Sequence, residues 1–132
     1  MIALFDTHVF VRWIENPERL SRAQSRLVTK SDATTPIGVS EITFLEMALL
    51  IDAGRLRLKL PLDEWLARAT AAPKVEVSGI TPAIAREVAD LTSTRGWDPG
   101  DRVLVATARV LGVPLVTHDT QIIDSGLVRT IE

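Results

Sequence analysis

The sequence predicts an α/β protein in which a parallel sheet is covered by helices on both faces. Three observations predict it. Short runs such as Ile2-Ala3-Leu4-Phe5 are apolar without alternation, the pattern of strands buried on both sides. Between these runs, apolar residues recur at spacings of three and four, which is the helical period. The two kinds of segment then alternate along the chain, as crossover-connected parallel strands require.

The elements follow in order. After the first strand and Asp6, Val9, Phe10, Trp13 and Ile14 mark a helix. Pro17 suits the first turn of a second helix running through Leu20, Ala23 and Leu27, with Asn16 as its cap. Pro36-Ile37-Gly38-Val39 reads as the second strand. Ser40 caps the long helix behind it, which ends at Gly54. A helix from Leu62 to Ala72 follows Pro61, and Val75 and Val77 suggest a third strand. Thr81 and Pro82 open a helix through Ile84, Val88 and Leu91 that stops near Gly96. Asp98 and Pro99 open another, closed by Gly112. Pro114 to Thr117 forms the fourth strand and Leu127 to Ile131 a short fifth.

Composition narrows the class. At 132 residues the chain suits one domain with one real core. With 46% hydrophobic and 24% charged residues it is globular, and it has apolar surface to spare for a partner or a second copy. The absence of cysteine excludes disulfides and thiolate metal sites. No apolar run approaches the roughly 20 residues of a membrane span, and no signal peptide is read, so a cytoplasmic location is expected. There is no internal repeat or dividing linker. A net charge of -2 argues against a protein that grips nucleic acid through a uniformly basic surface. It leaves room for a nuclease, because metal-ligating acids count among the negative charges. The nearest thing to a basic stripe is Arg55-Leu56-Arg57-Leu58-Lys59, with Arg95, Arg102 and Arg109 further on.

Asp6, Glu46, Asp101 and Asp119 stand where apolar or small residues would be ordinary. Asp6 ends the first strand, and Glu46 is the only charge between Ile42 and Ile51. Asp101 leads into Val103-Leu104-Val105-Ala106, and Asp119 follows the fourth strand. Burying a carboxylate costs free energy unless cations or hydrogen bonds compensate it. Each acid has a plain structural reading. Asp98 before Pro99 is a helix cap, Asp101 complements a helix dipole, and Asp6 and Asp119 cap helices starting at Thr7 and running toward Ile123. Glu46 is hardest to dismiss this way. Ligands of parallel α/β sheets collect beyond the carboxyl ends of the strands, where Asp6 and Asp119 lie. Acids converging there repel one another, and a hard cation, Mg²⁺ or Mn²⁺, relieves that repulsion. Such a site is suited to phosphate chemistry. His8 and His118 read as polar pocket walls.

Leu4-Phe5-Asp6-Thr7-His8, the Ser40 to Leu56 helix with Glu46, Asp98-Pro99-Gly100-Asp101-Arg102 with Val105-Ala106-Thr107-Ala108, and Leu115-Val116-Thr117-His118-Asp119 resemble the PIN-domain ribonucleases. Among them they are most similar to the VapC-type toxins of bacterial toxin–antitoxin pairs. The resemblance covers essentially the whole chain in order. It implies an α/β/α sandwich with a five-stranded parallel sheet, residues 1–132 forming a single PIN domain, and an acidic pocket holding Mg²⁺ or Mn²⁺. The family's acids fall on Asp6, Glu46, Asp101 and Asp119, with Thr117 at a supporting hydroxyl position. The acidic set shows no departure from the family pattern. The stretch from Lys59 to Lys74 matches nothing diagnostic, so no substrate preference carries over. An RNA substrate, a cognate antitoxin and a homodimer are the implied partners.

On that reading Asp6 and Asp101 hold the primary ion, while Glu46 and Asp119 complete its shell or orient water. Arg102 is a candidate for phosphate contact or for a structural salt bridge. Trp13 and Trp65 read as core or interface, and Trp97 as either packing or base stacking. The alternative is a PIN-like module that acts only by binding protein or RNA. A receiver domain is disfavoured by the wholly apolar run before Asp6, and a haloacid-type phosphatase by His8 where a second aspartate is needed.

Overall fold

The computed structural model covers Met1–Glu132. Five strands, β1 (Ala3–Phe5), β2 (Ile37–Ser40), β3 (Val75–Ser78), β4 (Leu115–Val116) and β5 (Thr130–Ile131), form one parallel sheet in the order β3-β2-β1-β4-β5. β1 is the hinge of the topology. The chain builds outward from it through β2 to β3, then returns to its other side for β4 and β5. Leu4 therefore pairs with Gly38 on one side and Leu115 on the other. Such a switch of direction opens a crevice at the carboxyl ends of the central strands.

Seven helices cover the sheet: α1 (Thr7–Glu15), α2 (Arg22–Lys30), α3 (Glu41–Asp52), α4 (Leu62–Ala71), α5 (Pro82–Asp90), α6 (Pro99–Leu111) and α7 (Thr120–Ser125). Alternation along β1 splits the core between the two faces. Ala3 and Phe5 join Phe10 of α1, Met47 of α3 and Trp65 of α4. Leu4 joins Ile84 of α5, Leu104 of α6 and Ile122 of α7. Every residue of β1 is fully buried, which is why the run tolerates no polar side chain before Asp6.

Two boundaries differ from expectation, for local reasons. Pro17–Arg19 forms a single 3-10 turn, and Asn16 makes no side-chain cap bond. The second helix starts later, at Arg22, because Ser21 and Gln24 form a reciprocal capping box that satisfies two otherwise orphaned amides. The fifth helix ends at Asp90, short of Gly96, and a 3-10 turn over Thr92–Thr94 fills the interval. β4 and β5 are also shorter than their apolar runs.

Three aromatic rings hold the α1–α4 face. Phe10 meets Trp65 edge-on at 5.5 Å and Trp13 at 6.4 Å, and Trp13 also meets Phe5 at 5.6 Å. The indole of Trp65 donates to Glu15 Oε1 at 2.8 Å, satisfying its polar edge. Phe10→Ala is expected to cost about 3–5 kcal/mol of stability, read by urea unfolding. A loss under about 1 kcal/mol would show that this cluster does not anchor the face.

Candidate active site and metal centre

The carboxylates are placed by the starts of helices. Asp6 follows β1 directly, and its backbone N–H donates to Val116 O of β4 at 3.0 Å, so it sits over the central strand pair. Its side chain caps α1, Oδ1 accepting from Val9 N at 2.8 Å. Asp98 caps α6 through Oδ1 and Gly100 N at 2.9 Å. Asp119 caps α7 through Oδ1, accepting from Gln121 N at 2.9 Å, while its own N–H donates to Thr117 Oγ1 at 3.0 Å. The structural and chemical readings of these acids are therefore not rivals. Capping uses one oxygen, fixes the direction of the carboxylate, and leaves the second oxygen without a backbone donor.

Glu46 comes from the interior of α3. Thr7 Oγ1 donates to Glu46 Oε1 at 2.7 Å and lies 3.0 Å from Thr43 Oγ1, one turn earlier on the same helix. This hydroxyl pair aims Glu46 at the start of α6. There Glu46, Asp98 and Asp101 bring ligand oxygens within 4.8 Å of one another. Gly100 makes the approach possible, since a Cβ at that position would collide with the Glu46 carboxylate.

Electrostatics tie the remaining acids to this group. Loss of solvent and repulsion from Asp119, Asp98, Glu46 and Asp6, in that order, push Asp101 up to about 7. Burial raises Glu46 as well, opposed by the Thr7 hydrogen bond and reinforced by Asp98 and, more weakly, Asp6. Asp6, only 7% exposed, is raised by burial. The Thr117 hydroxyl, the Val9 amide, His8 and His118 act against that rise. Side chains from the beginning, middle and end of the chain thus share one cleft. None of the five acids enters a salt bridge. Oxygen donors crowded without a counter-charge fit a hard divalent cation such as Mg²⁺ or Mn²⁺, whose charge would offset the repulsion.

Other expected residues find different work. Arg102 donates to Thr94 Oγ1 at 2.9 Å and to Val88 O at 3.1 Å. It ties α6 to the end of α5, so neither a phosphate contact nor a salt bridge describes it. The reason is local: α6 begins with its acids toward the cleft, which turns the next residue toward α5. Trp13 and Trp65 pack as core, and Trp97 lies half-buried against the other hydrophobic cluster. His118 is exposed at the rim, with Nε2 2.8 Å from Gln24 Nε2. Because Gln24 Oε1 already accepts from Ser21 N, its amide faces His118 as a donor. Nε2 of His118 is then the acceptor and Nδ1 carries the proton. Sequence reasoning missed Thr7, Thr43, Gly100 and Gln24. Thr43, three residues before Glu46 and sharing its helix face, was the one visible signal.

A five-stranded parallel sheet with an acidic cleft over its central strand is the architecture of a PIN domain. Residues 3–125 match that family, and the chain belongs to it. Within it, the chain is 36% identical over 119 residues to Ribonuclease VapC22 of Mycobacterium tuberculosis (strain ATCC 25618 / H37Rv), covering 90% of this chain and 88% of the relative. Solved structures agree on the fold. VapBC2 from Rickettsia felis, bound to a DNA fragment from its promoter, superposes with a TM-score of 0.72 at 15% identity, covering 99% of this chain and 98% of that one. VapBC-1 from nontypeable Haemophilus influenzae gives 0.70 at 16% identity, covering 100% and 98%.

Two outcomes are expected. Gly100→Ala displaces Glu46 while leaving the core intact, so Mn²⁺ affinity measured by calorimetric titration should fall about 10–100-fold with little change in melting temperature. Unchanged affinity would show that Glu46 need not approach α6. The second outcome concerns pH. Asp101 titrates near 7 in the native state against 3.8 for the model carboxyl, so the native state holds more protons between those values. Cation-free protein should therefore lose stability as pH rises through that window. Asp101→Asn should recover roughly 1–2 kcal/mol at pH 8, allowing for solvent screening of a half-exposed group. Melts of both proteins at pH 5 and pH 8 test this, and a variant no more stable than its parent at pH 8 would contradict it.

Proposed function

We propose that this chain is a metal-dependent endoribonuclease, the toxin of a toxin–antitoxin pair, which hydrolyses RNA phosphodiester bonds. The observation that carries the reading is the convergence of Glu46, Asp98 and Asp101 oxygens within 4.8 Å, coupled to Asp6 and Asp119 and matched by no protein cation. Kinship with a ribonuclease, Ribonuclease VapC22, supports the activity. Structural neighbours that are toxin–antitoxin complexes support an antitoxin partner.

Asp6, Glu46, Asp101 and Asp119 are the residues that would hold Mg²⁺ or Mn²⁺, with Asp98 beside them and Thr117 steadying Asp6. When bound, such an ion lowers the pKa of water and neutralises charge on phosphoryl oxygens. The chain supplies the rest. The N-caps fix Asp6, Asp98 and Asp119 before substrate arrives, which lowers the reorganisation needed at the reacting centre. Glu46, with Thr7 donating to Oε1, presents its other oxygen toward the start of α6. Burial raises its proton affinity, which suits it to accept a proton from the attacking water.

The chain as a whole, residues 1–132, acts as a single PIN domain in the cytoplasm on this reading. No helix is long and apolar enough to cross a membrane. Leu45 and Leu49, one turn apart on α3 and 55% and 59% exposed, offer apolar surface for a second copy of the chain. No observation favours the alternative of a purely binding module.

Incubating labelled RNA with the protein and Mg²⁺ or Mn²⁺ should give internal cleavage that chelation stops. Asp101→Asn should reduce the rate by at least about 100-fold, because it removes the acid at the centre of the cluster. Metal-dependent cleavage that survives the substitution would refute the site. Failure to cut any RNA would refute the activity.

A further inference from the structure

The cleft is acidic and its substrate would be a polyanion, so affinity must come from elsewhere on the surface. A cavity of about 410 Å³ adjoins the cleft between α1 and the segment that follows α3. Thr7, the residue that donates to Glu46, and His8 form its near wall, and Leu50, one turn beyond Glu46, joins them. Its remaining lining is strongly basic: Arg12 and Arg19 from the α1 side face Arg55, Arg57 and Lys59 from the other, with Glu15 the only acid.

Glu15 is already committed. It accepts from Lys59 N at 3.1 Å and from the Trp65 indole, and so pins the basic segment against α1 and α4. Arg12, Arg19, Arg55 and Arg57 enter no salt bridge. The segment alternates. Leu56, Leu58 and Leu60 are half-buried against the core, while Arg55, Arg57 and Lys59 point to solvent. Residues two apart in extended chain are separated by up to about 7 Å. That is comparable to the separation of successive phosphates along an unpaired strand. Guanidinium groups also match phosphate oxygens in a two-point geometry.

From this arrangement we infer that the cavity is a phosphate-binding track for RNA, in which Arg12, Arg19, Arg55 and Arg57 hold the sugar–phosphate backbone flanking the bond presented to the carboxylates. The inference rests on the ribonuclease reading and adds to it the surface that seats the substrate. It also explains a basic stripe that the acidic cleft leaves unused, in a chain whose net charge is -2.

The test compares two variants that each remove two positive charges. R55A/R57A empties one wall of the cavity. R68A/R86A removes exposed arginines paired within α4 and α5, away from it. All four residues are exposed, so both proteins should fold, which melting curves verify. Steady-state cleavage of a 5′-labelled single-stranded RNA with Mg²⁺ gives KM and kcat. Binding of the same RNA at several salt concentrations gives the counterion slope. R55A/R57A is expected to raise KM about tenfold with kcat within about threefold, and to reduce the slope by about one. R68A/R86A should match the parent. Equal losses in both variants would reduce the effect to net charge and overturn the track. Parent-like KM and slope in R55A/R57A would overturn it while leaving the ribonuclease intact. Parent-like RNA binding with lost affinity for the co-expressed antitoxin would overturn it in favour of a protein ligand. A parent chain that neither binds nor cuts RNA would remove both readings together.

Discussion

The constraint on which the site depends is the enforced proximity of like charges. Asp101 is surrounded by Asp119, Asp98, Glu46 and Asp6 and loses part of its hydration as well, and its raised pKa registers the strain. Left alone, such side chains would swing apart. They are kept together because several serve a second purpose in the backbone: Asp6, Asp98 and Asp119 each satisfy helix N-termini that would otherwise lack acceptors. Folding therefore supplies the energy that assembles the cluster, and a divalent cation supplies the charge that relaxes it.

Glu46 is the exception that shows how much backbone geometry contributes. It caps nothing and reaches the cluster from inside α3, held by Thr7, which contacts Thr43 in turn. The opposing helix can come so near only because Gly100 has no side chain. A small residue on one element and a hydroxyl on another thus define the position of a third element's carboxylate. The same economy appears at the rim, where Gln24 closes its own helix cap with one end of its amide and meets His118 with the other.

A modest net charge conceals two opposed fields. The acids collect at the carboxyl ends of β1 and β4, while α1 and the segment after α3 gather arginines beside them. Charge composition averages these away, which is why it argued only against a uniformly basic surface and said little about a directional one. The alternation of Arg55 through Lys59 was visible as a stripe. What it borders was not, because that depends on α1 packing next to the end of α3 and on Glu15 reaching Lys59.

Periodicity and apolar runs were enough for the sequence alone to determine the parallel sheet, the order of its elements and the acids at their ends. Those patterns reflect burial, and burial is written residue by residue. Asp98 before Pro99 and Ser40 before α3 could likewise be read directly, since a cap needs only its neighbours. Where two local signals competed, as at Asn16 and Ser21, the choice went to the reciprocal hydrogen bonds of Ser21 and Gln24, which the composition of a single position does not reveal. Arg102 followed the same rule on a longer scale: its sequence neighbour faces the cleft, but packing of α5 on α6 carries its guanidinium to Thr94 and Val88. Only the tertiary structure decided that Asp6, Glu46, Asp98, Asp101 and Asp119 face one another and that Thr7 and Gly100 set their spacing. Distances between residues far apart in the chain follow from how helices settle on a twisted sheet, and no local pattern of side chains encodes them.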